Sequence, residues 1–352
     1  MRLTRLGWGR RATAPVVGAA LMILLVLLLG IGVVTLAFGP TDRLTERGVF
    51  ADEDACPGFQ EVEFNVGGED FDEFLAELQE NNCALWLQGG NYVVENGSAS
   101  QWTDRGPNSF HARQSSPENQ PSVVMDAQLN QEVLEFEANH TGLEPYKDDF
   151  DQPPVDTTDG EYLDISRDID ALGVTEDSGF VMVAVLKVSA FDRGGAWTVG
   201  EAGQDGREFS MRTCGNYEFD ECKRDNFDAS GDAEGWWRGQ HWGSEDVDFN
   251  SGTASEGEWV VLTHALDGQA GEVFMHVNGE EIARESVDLD LSGNRDIQIG
   301  RWIRIDDNPD YYFDGRMAEV TVFDRTLTPE ELETVESYMS SAYGISLDGP
   351  VD

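Results

Sequence analysis

Apolar and polar residues alternate with a period of two over several short stretches of this 352-residue chain, the pattern of strands with one buried face. In Arg316 to Phe323, Ala318, Val320 and Val322 fall on one side, and Glu319 and Thr321 on the other. Trp259 to Leu266 alternates likewise, and Gln131 to Glu137 fits another strand. Val273 to Val277 and Ile282 to Arg284 flank Asn278-Gly279, a pair that favours a tight hairpin turn. Ile297 to Arg301 leads into Trp302. Phe180 to Val188 (FVMVAVLKV) is apolar on both faces apart from Lys187, which predicts a central strand covered on both sides. A single well-marked helix follows near the end. Thr328-Pro329-Glu330-Glu331 supplies an N-cap, a proline at the first helical position and the glutamate of a capping box. Leu332, Val335, Met339 and Ala342 or Tyr343 make one apolar stripe, and Gly344 stops the helix. Short strands with turn signals, and no long helix among them until the last, predict an antiparallel β-sandwich with a C-terminal helix.

The first 82 residues follow another pattern. Residues 1–11 form a basic leader with Arg2, Arg5, Arg10 and Arg11 and no acid, and residues 12–41 carry no charge. Pro15 to Phe38 is 24 residues, about 36 Å as a helix against a hydrocarbon core of about 30 Å. Positive charge before it and none after it places the N-terminus inside and the remainder outside. Residues 41–82 read as a linker: polar at first, then, after Gly68-Glu69-Asp70, a short amphipathic helix with Phe71, Phe74, Leu75 and Leu78 on one face. Thr141 to Gly160, acidic and carrying Pro145, Pro153 and Pro154, reads as a surface insertion.

Charge adds a second constraint. The formal net charge is −45, with 68 acidic residues against 23 basic, only three of them lysines. Such a chain repels nucleic acid. Low lysine with excess acid resembles the surfaces of proteins from salt-in halophiles, where a Debye length of about 3 Å at 1 M salt screens the self-repulsion. Cys56, Cys83, Cys214 and Cys222 allow three pairings. Cys214 and Cys222 bracket a short acidic loop, which favours Cys214–Cys222 with Cys56–Cys83. With no Cys-x-x-Cys and five histidines, zinc is not indicated.

Two segments resemble known families. Cys83 to Asn91 (CALWLQGGN), Ser100-Gln101-Trp102-Thr103-Asp104-Arg105-Gly106-Pro107-Asn108 and His111-Ala112 resemble the opening of LamG-like domains, although Pro107 stands where glycine is usual. Tyr312 to Ile345, with its FDG, its Phe323-Asp324-Arg325 and its Thr-Pro-Glu-Glu helix ending in Tyr-Gly, resembles their closing segment. The resemblance implies one domain over residues 83–346, a concanavalin A-like antiparallel sandwich of jelly-roll type, with 347–352 as a tail. At the other end, Arg10-Arg11-Ala12-Thr13-Ala14-Pro15 running into Ala19-Ala20-Leu21-Met22-Ile23 resembles archaeal type IV pilins. That implies cleavage between Arg11 and Ala12, before an apolar helix over residues 12–40 that stays in the membrane or bundles with other pilins. An uncleaved signal anchor and a secretory signal peptide are the other readings of this segment.

Candidate chemistry is sparse. Retaining glucanases of this fold place two carboxylates on one strand face, about 5 Å apart. Glu245-Asp246-Val247-Asp248, Glu285-Ser286-Val287-Asp288 and Glu161-Tyr162-Leu163-Asp164 each lack the second glutamate at that spacing, so the expectation is no enzyme. Trp236 and Trp237 are the candidates for stacking on a sugar. Trp242 fits a structural segment of the LamG-like pattern, and Trp86, Trp102, Trp259 and Trp302 fit the core. Calcium is common among LamG-like relatives; Asp306, Asp307, Asn308, Asp310 and Asp314 would supply its oxygens, with Arg316 standing where relatives often carry an acid. Asn96 and Asn139 head N-glycosylation sequons. The combined expectation is a surface protein, anchored in the membrane or built into a pilus. Its external lectin-type domain would bind a glycan or surface glycoprotein and serve adhesion. The alternative is a structural or assembly module with no small ligand.

Overall fold

The computed structural model describes residues 83–106, 108–138, 160–165, 167, 169–174, 178–190, 194–200, 208–215, 235–241, 249–250, 256–289, 291, 296–302 and 311–347. The chain divides into two units, residues 1–52 and 53–352, and the described residues belong to the second. The apolar N-terminal segment, Arg11 and Ala12, the linker helix, Cys56, Cys222 and Asn139 lie outside the described residues. None of the described helices is long and apolar enough to cross a membrane.

Phe180–Val188, strand β7, is buried along its whole length, as its two apolar faces predict. β12 (Trp259–Asp267) pairs along one side of it and β18 (Gly315–Phe323) along the other, both antiparallel. β13 (Glu272–Val277) and β14 (Glu280–Ser286) continue the sheet beyond β12. Beyond β18 come β1 (Cys83–Glu95), with Cys83 opposite Phe323, and β5 (Gln131–Phe136), with β4 (Ser122–Asp126) outside it. A second layer runs β2 (Ser98–Asp104), β3 (Ala112–Arg113), β6 (Leu163–Ile165), β15 (Ile297–Ile299), β8 (Gly195–Gly200), β9 (Glu208–Gly215), β10 (Gly235–Gln240) and β11 (Phe249–Asn250). The paired strands β16 (Arg301–Trp302) and β17 (Tyr311–Tyr312) lie beside β8. β1 serves both layers. Leu85 to Gln88 pair with β18, while β2 is met at Leu87, opposite Asp104, and again from Tyr92 to Glu95; the irregularity between the two stretches holds Gly89-Gly90, where Gly90 has φ +82°. The chain is thus mostly β with a C-terminal helix, consistent with a concanavalin-like sandwich.

The strands' side-chain alternation builds two cores. Met182, Ala184 and Leu186 of β7, with Leu85, Leu87, Leu262 and Val320, face Trp197, Val199, Phe209, Met211 and Ile299 of the second layer. Val181, Val183 and Val185, with Trp86, Trp259, Val261 and Phe323, face the other way, against Leu332, Val335, Met339 and Tyr343 of helix α1 (Pro329–Tyr343). The helix forms as its caps dictate. The Thr328 side chain accepts from the Glu331 N–H, Glu331 bonds back to the Thr328 N–H, and Gly344 ends it at φ +67°.

One expectation for β18 fails. A bulge lies between Met317 and Glu319 opposite β7, so Ala318 turns toward the helix rather than sharing a face with Val320 and Val322. The face of Glu319 and Thr321 is buried as well, because α1 covers it. Glu319 accepts from Trp86 Nε1 at 3.0 Å and, closely, from the Tyr343 hydroxyl. Burial pushes its carboxyl up to about 7, against the opposing pull of these two bonds.

Among the described residues no cysteine is free, and Cys83 is disulfide-bonded. Asn96 and Gly97, both with positive φ, form the exposed turn between β1 and β2, which puts the first sequon at a hairpin tip.

Two of the chain's five histidines meet inside the sandwich. His264 Nε2 of β12 lies 2.8 Å from His241 Nε2, just beyond β10, and the His264 ring stacks on Phe209 at 3.7 Å. One Nε2 must donate and the other accept. His264 Nδ1 has no partner among the described residues. A bare buried lone pair costs less than a buried unbonded N–H, so we assign His264 as the Nε2–H donor. Burial, and then the charge of His241, hold His264 well below its ordinary value. It stays neutral in the fold but binds a proton in the unfolded chain below about pH 6.5. Stability is therefore expected to fall as pH drops below that value, by about 1.4 kcal/mol per pH unit. Glu319 and Glu161 titrate over the same interval with the opposite sign, so the measurement belongs in a background with both replaced by glutamine. There, a urea-melt stability that is flat from pH 7 to 5 would refute the neutral assignment.

Candidate functional site

The opening motif turns out to be a brace. Asp104 accepts through Oδ1 from the N–H groups of Trp86 and Gly106, both at 2.8 Å, and through Oδ2 from that of Phe110 at 2.7 Å. His111 Nδ1 accepts from the Asp104 N–H, and Trp102 Nε1 donates to the Gln88 carbonyl at 2.9 Å. All these groups are engaged in holding β1, β2 and the turn before β3 together. Trp86, Trp102, Trp259 and Trp302 are buried, as expected of core residues.

The tryptophans singled out for sugar stacking fare differently. Trp237 is 2% exposed and packs in the core between the layers, so it offers no open face to a ligand; the alternation of β10 turns that position inward. Trp236 holds a place in β10 opposite Cys214. Trp242 lies outside the described residues, as do Asp306, Asp307, Asn308 and Asp310 of the calcium candidates. Asp314 is described; its backbone carbonyl accepts from the Ser189 N–H at 2.9 Å. Arg316, two residues on, is committed to Asp126 and Glu135. No group of three or more His, Cys, Asp or Glu among the described residues could hold a metal. Glu161 and Asp164 stand apart in role. Glu161 Oε2 accepts from the Glu137 N–H, and burial together with the charges of Glu137 and Glu135 pushes it up to about 7. Asp164 belongs to the second layer, between Arg113 and Gln298.

That second layer carries the arrangement the sequence did not announce. Strand pairing lines up Gln101, Arg113, Asp164, Gln298, Thr198, Ser210 and Gln240, one from each of β2, β3, β6, β15, β8, β9 and β10, each opposite the next. Their neighbours Trp102, Ala112, Ile299, Trp197 and Phe209, and Trp237 three residues before Gln240, point into the core, so this polar row crosses the outer face of the layer. Arg113 is exposed, Gln101 and Asp164 are half-buried, and Gln298, Thr198, Ser210 and Gln240 are buried. The row is thus open at the β2–β6 end.

Aromatic rings and arginines flank the row. Trp302 and Tyr311 stack at 5.3 Å, with the Arg212 guanidinium 3.8 Å from the Trp302 ring. Arg212 donates to Gln240, and Trp302 Nε1 donates to Glu208. Arg301 lies 3.7 Å from the Tyr162 ring and donates to Gln298 at 2.7 Å, with Asp164 at 3.8 Å. Burial pushes the Asp164 carboxyl up and Asp296 adds to this, while Arg301 opposes it. β16 can approach β8 this closely because Gly195 has no side chain; a Cβ there would lie 2.3 Å from the Trp302 nitrogen. Amides, hydroxyls, guanidinium groups and ring faces on one sheet are the groups that bond sugar hydroxyls and pack on sugar C–H surfaces.

No curated protein matches this sequence. Among solved structures, the binding domain of Paraclostridial Mosquitocidal Protein 1 aligns with TM-score 0.44 and 12% identity, over 74% of this chain and 52% of that one. This chain thus spans about half of that protein's length. Domain 4 of AbnA, an extracellular arabinanase of Geobacillus stearothermophilus in complex with arabinotriose, aligns with TM-score 0.37 and 13% identity, over 62% and 80%. The Ruminococcus gnavus IT-sialidase CBM40 bound to alpha2,3 sialyllactose gives 0.35 and 14%, over 47% and 85%. A sequence family described as the concanavalin A-like lectin/glucanases superfamily, Laminin_G_3, matches residues 189–333, from just after β7 into α1. Over that span the chain is similar to concanavalin A-like lectin/glucanase domains.

Proposed function

We propose that the sandwich is a carbohydrate-binding domain whose ligand lies along the outer face of the second layer, and that it works by binding alone. The observation that carries this reading is the row from Gln101 to Gln240, bordered by Tyr162, Tyr311 and Trp302. A sheet face with this many directional polar groups beside ring faces fits an oligosaccharide laid across strands. The apolar segment at Pro15 to Phe38 supports display of the domain outside the cell, from the membrane or a pilin-type filament, where it would serve adhesion.

The test is a glycan array with the full chain in molar salt, run with and without chelator. Retention of a defined set of glycans is expected, together with loss of binding when Gln101 and Tyr311 are replaced by alanine. Silence across cell-surface glycans would count against the reading. A second reading, a spacer or assembly module, draws on the burial of Thr198, Ser210 and Gln240 at the far end of the row. It expects no glycan retained and an assembly unchanged by those two substitutions.

A further inference from the structure

The polar row changes character partway along, and β16 marks the change. Thr198 of β8 donates through its hydroxyl to the Arg301 carbonyl at 2.8 Å. Trp302 lies against Gly195, which shares the outer face with its partner Arg212. β16 therefore crosses the outer face over β8. From there the Arg301 side chain reaches back to Gln298 at 2.7 Å and lies 3.7 Å from the Tyr162 ring. Gln298 and Thr198 are buried beneath. Arg301 and Tyr162 thus end the open part of the row like a wall.

The row in front of this wall is open and one strand longer. Val93 of β1 is directly opposite Gln101 and is 44% exposed. Val93, Gln101, Arg113 and Asp164 stand on the successive strands β1, β2, β3 and β6. Three strand spacings make this platform about 14 Å long, the length of a short oligosaccharide. Arg113 and Asp164 are opposite each other, and opposed charges of opposite sign on antiparallel strands attract. Here each turns away instead. Arg113 donates through Nε to Gln101 at 2.8 Å, and its terminal N–H groups have no partner among the described residues. Asp164 is bonded to the Gln298 side chain and lies 3.8 Å from Arg301, with 48% of its side chain exposed. A donor fork and an acceptor are thereby held side by side, each fixed from behind, with a seat between them.

We infer that the domain reads the free end of a glycan: the last ring seats two neighbouring hydroxyls between Arg113 and Asp164 and stops against Arg301 and Tyr162, and the rest of the chain leaves over Gln101 and Val93. One hydroxyl donates to the carboxylate while its neighbour accepts from the guanidinium, so a vicinal pair satisfies both groups at once. Val93 supplies apolar surface for the C–H side of a following ring. An internal stretch of a polysaccharide does not fit, because it would have to continue through Arg301 and β16. The inference rests on the carbohydrate-binding reading and adds to it which part of the glycan is recognised.

The test uses the full chain in molar salt on an array of oligosaccharides coupled through their reducing ends. Each stands beside a copy whose free-end ring is O-methylated. The unmethylated member of the retained pairs is expected to be held about tenfold better, the effect of two hydrogen bonds of ordinary strength. Arg113→Gln and Asp164→Asn, each shown to be folded by its melting temperature, are expected to weaken the unmethylated member about tenfold and to bring the ratio close to one. Equal retention within every pair overturns the inference and leaves the carbohydrate reading standing. Retention of no glycan overturns both. A preference for the unmethylated end that survives both substitutions overturns the assignment to Arg113 and Asp164.

Discussion

Replacing Asp126 by alanine is expected to cost about 3–5 kcal/mol of stability, the range for removing one partner of a buried charge cluster. Asp126, at the end of β4, is 1% exposed. Lys187 Nζ donates to it at 2.7 Å, Arg316 at 2.8 Å and Trp259 Nε1 at 3.2 Å, and the N–H groups of Gln128 and Leu129 complete five donors. Burial alone would raise this carboxyl, but the bonds from Lys187, Arg316 and the backbone outweigh it and hold it far below the usual range. A depressed folded value means that the stabilisation is present above the unfolded value, about 3.9, and is lost only as pH falls through the folded one. At neutral pH its full weight is in force. Alanine leaves buried Lys187, one of only three lysines in the chain, against the Trp259 ring with no carboxylate beside it. Urea melts in molar salt measure the effect without changing the ionic strength. A loss below about 1 kcal/mol, the level of an exposed ion pair, would show that the cluster is not the anchor of β4 that its geometry implies.

Replacing Glu319 by glutamine is expected to stabilise the protein by up to about 3 kcal/mol at pH 8 and to change it little at pH 4. The folded carboxyl lies at about 7, raised from 4.5 by burial. Because the folded state holds its proton more tightly than the unfolded chain, the favourable contribution is complete below pH 4.5 and is lost as pH rises to 7. Glutamine never ionises. Its oxygen accepts from Trp86 Nε1, its amide donates to the Tyr343 hydroxyl, and that hydroxyl is free to turn toward the Ala318 carbonyl at 3.4 Å. Stability curves for the two proteins should meet on the acid side and part between pH 4.5 and 7. Parallel curves over that range would mean that Glu319 stays ionised under the helix.

Much of this fold was legible from local pattern. The capping box at Thr328, the turn at Asn278-Gly279 and the two-faced run Phe180–Val188 each state their own structure, because the physics that sets them acts within a few residues. β18 was misread in detail for two reasons. Its bulge shifts Ala318, and the polar face of Glu319 and Thr321 is covered by a helix that follows it in sequence. Alternation shows which residues share a face, not what will cover it. Trp237 misled for the same reason: the charges around it in the sequence hid its inward position in β10. The polar row was the least legible feature. Its seven members are drawn from residues 101 to 298, and only the strand order makes them neighbours. The alternation of Glu208, Ser210 and Arg212 with Phe209 and Met211 was the one local sign of it.

The pairing of Cys83 with Phe323 has a mechanical consequence. The first and last strands of the described chain lie side by side and antiparallel, so the start of β1 and the end of β18 leave from the same edge. Tension applied between those ends would peel β1 from β18 one hydrogen bond at a time, rather than loading all of them together in shear. A pull carried instead from the start of β1 to a ligand on the second layer would pass along β1 itself, through Gly89-Gly90, and into β2. Held in that way, the domain would resist force along a strand rather than across one.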